Sequence, residues 1–87
     1  MAGRHLLTFE ISEEGDDLSI YGDVTGLRLL ADRLIALAAK AETQSQPSVE
    51  SLSTSVWGGN ELSLEPQGTE TRLIYQVRIV AHGGRRR

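Results

Sequence analysis

The chain contains no cysteine, and this absence excludes disulfide bonds and metal sites built on thiolates. It also lacks a long hydrophobic run, because its most apolar segment, residues 25–42, is interrupted by Asp32 and Arg33. We therefore expect no membrane-spanning helix. No apolar leader precedes the first strand-like segment, so we expect the protein to stay in the cytoplasm. The length of 87 residues suffices for one small domain with a single core.

Positive charge is scarce outside the C-terminus. Three of the nine basic residues are the terminal arginines, which leaves six basic against twelve acidic residues and a net charge of −6 for residues 1–84. A surface this acidic repels nucleic acid but suits a basic protein partner. The sequence therefore predicts a protein partner, and neither nucleic-acid nor membrane binding.

Residues 25–42 have the periodicity of an amphipathic helix. Asp23 or Thr25 can cap its first turn by accepting hydrogen bonds from free backbone amides. Gly26 in that turn and Leu29 on the polar face do not fit the pattern. The other apolar residues share an arc of roughly 120°, which we predict to be the buried face of the helix. They are Leu27, Leu30, Ala31, Leu34, Leu37, Ala38 and Ala41.

Every other apolar segment alternates with a period of two, which is typical of β-strands. The predicted fold class is α+β, with a single four- to five-stranded sheet in β-β-α-β-(β)-β order and the helix packed on one face. We expect residues 1–82 to form the domain and residues 83–87 to form a disordered basic tail. The predicted strands are 5–12 and 18–22, joined as a hairpin, then 49–57, a weak edge strand or extended loop at 61–65, and 72–80.

Strand parity divides the predicted sheet into two faces. The face that we expect the helix to cover consists of Leu7, Phe9, Ile11, Leu18, Ile20, Leu52, Val56, Leu73, Tyr75, Val77 and Ile79. The opposite face is left to solvent or to a partner, and it carries Thr8, Glu10, Ser19, Tyr21, Ser53, Ser55, Trp57, Ile74, Gln76 and Arg78.

The sequence offers no motif for catalysis. No serine, threonine or carboxylate lies in a recognisable nucleophile motif, and Gly58-Gly59 is not followed by the lysine of a phosphate-binding loop. His5 and His82 are interpreted as exposed histidines at the outer ends of the first and last strands. The acids of residues 13–17 lack the spacing of a calcium loop. We therefore expect a non-enzyme without cofactor or metal.

Six carboxylates fall within residues 10–23, with no lysine or arginine among them. Two interpretations stay open for the hairpin turn in this segment. It is either a hairpin end kept in solution by its charge or a patch that steers a basic protein surface. We call its tip the acidic turn, and it consists of Glu13, Glu14, Asp16 and Asp17.

Trp57 is the only tryptophan, and the residues GGN that follow it favour a reversal of the chain. The indole either covers the edge of the sheet or anchors a protein interface. Parity places it on the face away from the helix, together with Tyr21. The candidate partner-binding residues are therefore Trp57, Glu61, Tyr21 and the acidic turn, with Gly58, Gly59 and Asn60 as a structural motif.

The segments LTFEIS, IYGDVTGLRLLADRLIALA, WGGNELS and RLIYQVRI together resemble family thirty-two of the immunity proteins of bacterial polymorphic toxin systems. The resemblance spans residues 6–80, and its most specific part is WGGNELS, residues 57–63. It implies a small α+β protein that is made beside a toxin, often a nuclease, and that binds and neutralises it. On this expectation the partner is a cognate protein toxin.

A second interpretation comes from the element order, which is that of the β-grasp. The last predicted strand is followed by Gly83-Gly84, so the chain looks like a ubiquitin-like modifier whose three terminal arginines are trimmed. A β-grasp sheet would place the first and last strands parallel, whereas a pair of packed hairpins would not. A small domain with another role is the third interpretation.

Overall fold

A computed structural model describes residues 5–83 and has the α+β class that the sequence predicts. The tail residues 84–87 lie outside the described residues, as do residues 1–4. No helix within the described part of the chain is long and apolar enough to cross a membrane. The elements are β1 (Leu7–Ser12), β2 (Leu18–Gly22), α1 (Val24–Glu42), β3 (Ser48–Ser53), a one-turn 3-10 helix (Ser55–Trp57), β4 (Thr71–Leu73) and β5 (Gln76–Ala81).

The strands form two antiparallel sheets, with orders β2-β1-β4 and β3-β5, rather than the predicted single sheet. The cause is a break in the segment predicted as one strand over residues 72–80. On one side of the break the Ile74 amide donates to the Phe9 carbonyl of β1 at 2.8 Å. On the other side the Tyr75 carbonyl accepts from the Thr54 amide, just beyond β3, at 2.9 Å. The backbone therefore changes its hydrogen-bonding partner within two residues, and the sheet divides there.

Strand β1 runs antiparallel to both of its neighbours, β2 and β4. Because β4 is the first half of the predicted last strand, the first and last strands are not parallel as they are in a β-grasp sheet. The hairpin prediction is confirmed, with Phe9 paired to Ile20 and Ile11 to Leu18. The segment at residues 61–65 forms no strand, although the Ser63 amide donates to the Leu7 carbonyl at 2.8 Å.

Helix α1 forms where the sequence predicts it, but its packed face is rotated relative to the predicted stripe, of which Leu37 and Ala41 are buried and Leu30 packs against the core. Leu27 and Leu34 of the predicted stripe are 47% and 43% exposed, so the stripe lies partly outside the interface with the sheets. Leu29, expected on the polar face, packs against the core instead. The helical residues that are buried are Gly26, Leu37 and Ala41.

Gly26 explains this rotation of the helix. A Cβ atom built on Gly26 would overlap the carbonyl oxygen of Leu6, so only glycine lets the first turn rest on the backbone that leads into β1. Asp23 caps the same turn, because its carboxylate accepts from the Gly26 amide at 2.7 Å. That hydrogen bond lowers the pKa of Asp23. The glycine that conflicts with helix propensity thus determines which face of α1 meets the sheets.

Strand β1 is buried on both of its faces. Leu7 and Phe9 belong to the core, as the sequence predicts. Thr8 and Glu10, which parity assigned to the open face, are also buried, with no exposed surface at all. The assignment was wrong because the chain before β4 folds back over this side of β1 and donates hydrogen bonds to Glu10.

Several residues predicted to lie beneath the helix are exposed instead. Leu18 and Ile20 are 55% and 45% exposed, because α1 packs mainly against β3 rather than β2. Tyr75 lies at the break between β4 and β5, where strand parity no longer applies, and is also exposed. Val56 is exposed because β3 ends at Ser53, four residues earlier than predicted.

The described part of the chain ends in a packed position. Gly83, predicted as the first residue of the tail, is buried. A Cβ atom at this position would overlap the carbonyl oxygen of Gln44 and crowd the backbone of Ser45. The residue after His82 therefore lies against the loop that connects α1 to β3.

Candidate functional site

Trp57 lies at the end of the 3-10 turn that follows β3. Three backbone hydrogen bonds fix this turn: Trp57 and Gly59 each donate to the Thr54 carbonyl, at 3.0 and 2.9 Å, and Gly58 donates to the Ser55 carbonyl at 3.1 Å. Gly58 ends the turn in the left-handed region, with φ of 85°, which glycine adopts without strain. The parity that placed Trp57 on the open sheet face does not apply, because Trp57 is not in a strand.

The indole of Trp57 is nevertheless presented to solvent. The residue is 61% exposed, and its neighbour Val56 is 65% exposed. A rigid turn therefore holds two large apolar side chains outward, side by side in the sequence. Because the backbone is already fixed, a partner that covers the indole would not have to order the chain that carries it.

The rest of the WGGNELS segment returns to the core. Leu62 is buried in the hydrophobic core, and its amide donates to the Ser53 carbonyl at 3.0 Å. A Cβ atom at Gly59 would lie 2.7 Å from the Cβ of Ser53, so glycine is needed for this close approach. Asn60 is exposed at the tip. Within this segment Gly59 and Leu62 thus stabilise the fold, whereas Trp57 and Asn60 are exposed.

The carboxylate of Glu61 is held within the protein by two groups. Its Oε1 accepts from the Ser53 amide at 3.1 Å, and its Oε2 lies 3.6 Å from Arg33 Nη1. The same Arg33 nitrogen lies 2.8 Å from Glu50 Oε2, so one guanidinium joins α1 to β3 and to the loop. Burial tends to raise the pKa of Glu61, but the Ser53 amide and Arg33 outweigh it, and the pKa is lowered. Its carboxylate is therefore charged at neutral pH.

A cleft of about 1050 Å³ lies between the first half of α1 and residues 59–65. Leu29 and Leu62 supply apolar surface to its lining. The lining contains more carboxylates than arginine or lysine side chains, and this excess of negative charge favours binding of a basic group in the cleft. The charged residues are Asp23, Arg33, Glu61 and Glu65, and His5 lines the cleft with a ring nitrogen 2.7 Å from the Glu61 carbonyl.

The acidic turn lies at the other end of β1 from this cleft. All four of its carboxylates are exposed, and none of them makes an ion pair within residues 5–83. The turn is closed by a hydrogen bond from the Gly15 amide to the Ser12 carbonyl at 2.9 Å, with φ of 82° at Gly15. The five steps from Leu7 to Ser12 span about 17 Å at the usual rise of a strand. The acidic turn and Trp57 therefore do not form one cluster.

Tyr21 is half-buried and is separate from Trp57. It pairs with Thr8 across the hairpin, and its hydroxyl oxygen lies 2.9 Å from the position that a Cβ at Gly68 would take. The ring therefore packs beneath the chain that covers β1. Of the candidate partner-binding residues, only Trp57 and Glu61 are brought to the same region.

Sequence reasoning missed two residues of the cleft. In the sequence Arg33 stands out only as an interruption of the apolar segment, whereas in the structure it bridges Glu50 and Glu61. Leu29 was noted as misplaced on the polar face, and that mismatch was the available signal that the packed face of α1 is rotated. No sequence signal pointed to Arg33.

Comparisons with known proteins give no relative. No family model, no curated protein and no solved structure matches this chain.

Proposed function

We propose that this protein is a non-enzymatic, cytoplasmic binding protein that occludes a partner protein with the surface around Trp57. The observation that carries the proposal is an exposed indole on a hydrogen-bonded turn beside a cleft with an excess of carboxylates. The WGGNELS segment resembles the immunity proteins of bacterial polymorphic toxin systems. On this resemblance the proposed partner is a cognate bacterial toxin, which the protein neutralises.

The geometry suits a protein partner because it combines an apolar anchor with a charged recess. Tryptophan is enriched among the residues that dominate binding energy, and it contributes most when it is fully desolvated in the complex. Arg33 keeps the Glu61 carboxylate in place at the wall of the cleft. A lysine or arginine of the partner that enters the cleft beside the covered indole would meet a preorganised carboxylate.

The modifier interpretation has less support. It was based on the element order of a β-grasp sheet, in which the first and last strands are parallel. In the structure β1 is antiparallel to β4, the first half of the predicted last strand. It also needs Gly84 as an exposed C-terminus; Gly84 lies outside the described residues, and Gly83 before it is buried against Gln44 and Ser45. We therefore retain a single proposed function.

Trp57→Ala is expected to accelerate dissociation of the complex about 30-fold, the equivalent of roughly 2 kcal/mol for an anchor residue. The partner to use is the product of the reading frame beside this gene, and surface plasmon resonance gives both rate constants. Val80→Ala is the control, because Val80 is a half-exposed apolar residue on β5, outside the turn that carries Trp57, and its loss should leave the dissociation rate unchanged.

Two results would contradict this assignment. If Trp57→Ala melts like the parent and dissociates at the parent's rate, Trp57 is not the anchor. If the neighbouring gene product neither binds the protein nor stops bacterial growth in its absence, the toxin-neutralising role is wrong.

The acidic turn is expected to act on association instead. Replacement of its four carboxylates by Asn or Gln should slow association and flatten the salt dependence of the rate, because exposed rim charges steer encounter. The dissociation rate should stay near the parent's. The control replaces the exposed acids Asp32 and Glu70 in the same way. An unchanged association rate at low salt would leave the turn as a solvated hairpin end.

A further inference from the structure

Strand β2 is the outer strand of its sheet, and only one edge of its backbone is paired. In the order β2-β1-β4 it pairs with β1 alone. The Asp23 amide, one residue beyond β2, donates to the Leu6 carbonyl at 3.1 Å. Because hydrogen-bonded pairs alternate along an antiparallel ladder, Ser19 and Tyr21 bond to β1 in the same way, and the alternate residues of β2 point away from β1. These outward residues are Leu18, Ile20 and Gly22.

The outward edge of β2 is open. The N–H and C=O groups of its outward residues make no hydrogen bond within residues 5–83. The side chains of Leu18 and Ile20 are 55% and 45% exposed. Natural sheet edges are commonly protected by a proline or by an inward-pointing charge, and the sequence LSIYG of β2 contains neither. An edge with free backbone groups and alternating apolar side chains has the features that bind an added strand.

The charges beside β2 define the chemistry of that added strand. The acidic turn adjoins Leu18, and its four carboxylates are exposed without an ion pair within residues 5–83. The antiparallel ladder is the more stable arrangement, and it brings the C-terminal end of an added strand to the acidic turn. We infer that β2 binds an extended segment of a partner protein, with alternating apolar residues and with lysine or arginine at its C-terminal end.

Charge also argues against a second copy of this chain as the occupant. When two copies of β2 pair antiparallel with full overlap, Ile20 lies opposite Ile20 of the second copy. Asp17 of each copy then lies opposite Asp23 of the other, at both ends of the ladder. Like charges directly opposite each other destabilise a strand pair. A basic segment replaces this repulsion at the acidic turn by attraction, so complementarity favours a different protein.

An added strand on β2 would connect two surfaces that are otherwise separate. One end of β2 adjoins the acidic turn, and Asp23 at its other end lines the cleft. A segment that follows β2 therefore runs from the acidic turn to the mouth of the cleft. The inference goes beyond the proposed function, because the strand pairing does not depend on which protein the surface around Trp57 binds.

The test uses a synthetic peptide of alternating valine and threonine that ends in two lysines. Hydrogen exchange, followed by NMR on the full chain, reports each amide separately. In the free protein the outward amides of β2 should exchange fast, and those of Ser19 and Tyr21 should be protected. At about nine-tenths occupancy by the peptide, the outward amides should exchange about tenfold more slowly. The amides of Arg78 and Val80, on the edge of β5 away from β3, should not change.

Two control peptides separate backbone pairing from charge attraction. Methylation of the peptide nitrogens that face β2 removes the donors of the ladder, and this peptide should not slow the exchange. Glutamates in place of the lysines should weaken binding about tenfold at low salt, and high salt should reduce that difference. In the protein, replacement of the acidic turn by Asn and Gln should abolish the preference for lysine without unfolding, because its side chains are exposed.

Four results would overturn the inference. The first is protection of the outward amides in the free protein, since the edge would already be covered. The second is unchanged exchange of these amides at saturating peptide, or slowing at Arg78 and Val80 instead. The third is equal binding of the methylated peptide, because the contact would not be a strand ladder. The fourth is equal binding of the lysine and glutamate peptides at low salt, because the acidic turn would not select the occupant.

Discussion

Gly26→Ala is expected to destabilise the protein by about 3 kcal/mol, the upper end of typical overpacking costs. The reason is that the new methyl group would overlap the Leu6 carbonyl oxygen, a backbone atom that cannot move without displacing the entry into β1. Intrinsic helix propensity predicts the opposite sign, since alanine is more favourable than glycine by about 1 kcal/mol in a helix. The sign of the change therefore distinguishes a helix packed on Leu6 from one that only lies near it.

Urea unfolding of the parent and the variant measures this difference. Thr25→Ala is the matched control, because Thr25 is exposed in the same helical turn and its side chain does not cap the helix. Its midpoint should stay near the parent's. If Gly26→Ala unfolds at a higher urea concentration than the parent, α1 does not make the contact with Leu6 that determines its packed face.

The existence of the helix was predictable from the sequence, but its packed face was predictable only in part, since Leu37 and Ala41 are buried as expected whereas Leu27 and Leu34 are exposed. Periodicity identifies an apolar arc wherever it lies, and the arc of α1 is wider than the face that packs against the sheets. Gly26 and Leu29 were the two residues that conflicted with the predicted stripe, and both lie on the face that packs. Helix periodicity thus failed at the two residues whose tertiary contacts determine which face of α1 packs against the sheets.

Strand parity worked only where the strands continue. It gave the hairpin register correctly, with Phe9 opposite Ile20. It failed for Trp57 and Tyr75 because β3 ends early and because the last strand breaks, and neither event has a local signal such as a proline. The exposure of Trp57 was expected, but for a different structural reason.

The burial of Glu10 was the largest error in the predicted faces of the sheet. A glutamate in an alternating strand is normally exposed, and parity placed it there. The donors that make its burial possible come from residues 57 to 61 positions later in the chain. Contacts between residues so far apart leave no local sequence pattern, so the burial of this carboxylate could be recognised only in the structure.

Glu10→Gln is expected to cost about 3 kcal/mol, within the range for loss of hydrogen bonds to a buried charge. Oε2 accepts from the Gln67 amide at 2.7 Å and from the Thr8 hydroxyl, and Oε1 accepts from the Gly68 amide at 3.0 Å and from the Thr71 hydroxyl. Whichever oxygen becomes the amide nitrogen of glutamine, an NH₂ group would face a backbone N–H. Neither rotamer can satisfy both backbone donors.

The same contacts predict how the loss depends on pH. Burial tends to raise the pKa of Glu10, but the four hydrogen bonds outweigh it and hold the pKa below its ordinary value of 4.5. A depressed pKa in the folded state contributes stability that is complete above the unfolded value. That stability disappears as the pH falls through the folded value. The parent should therefore exceed Glu10→Gln most at neutral pH, and the difference should shrink in acid.

Unfolding in urea at pH 7 and at several values below pH 4.5 checks both statements. Glu13→Gln is the control, because Glu13 is exposed in the acidic turn and its side chain makes no hydrogen bond within residues 5–83, so its midpoint should match the parent's at pH 7. An equal difference between parent and Glu10→Gln at every pH would show that the loss does not depend on ionisation of the Glu10 carboxyl. A variant as stable as the parent at pH 7 would mean that the chain before β4 does not close over Glu10. In that case the face of β1 that carries Glu10 is open to solvent, as strand parity alone predicts.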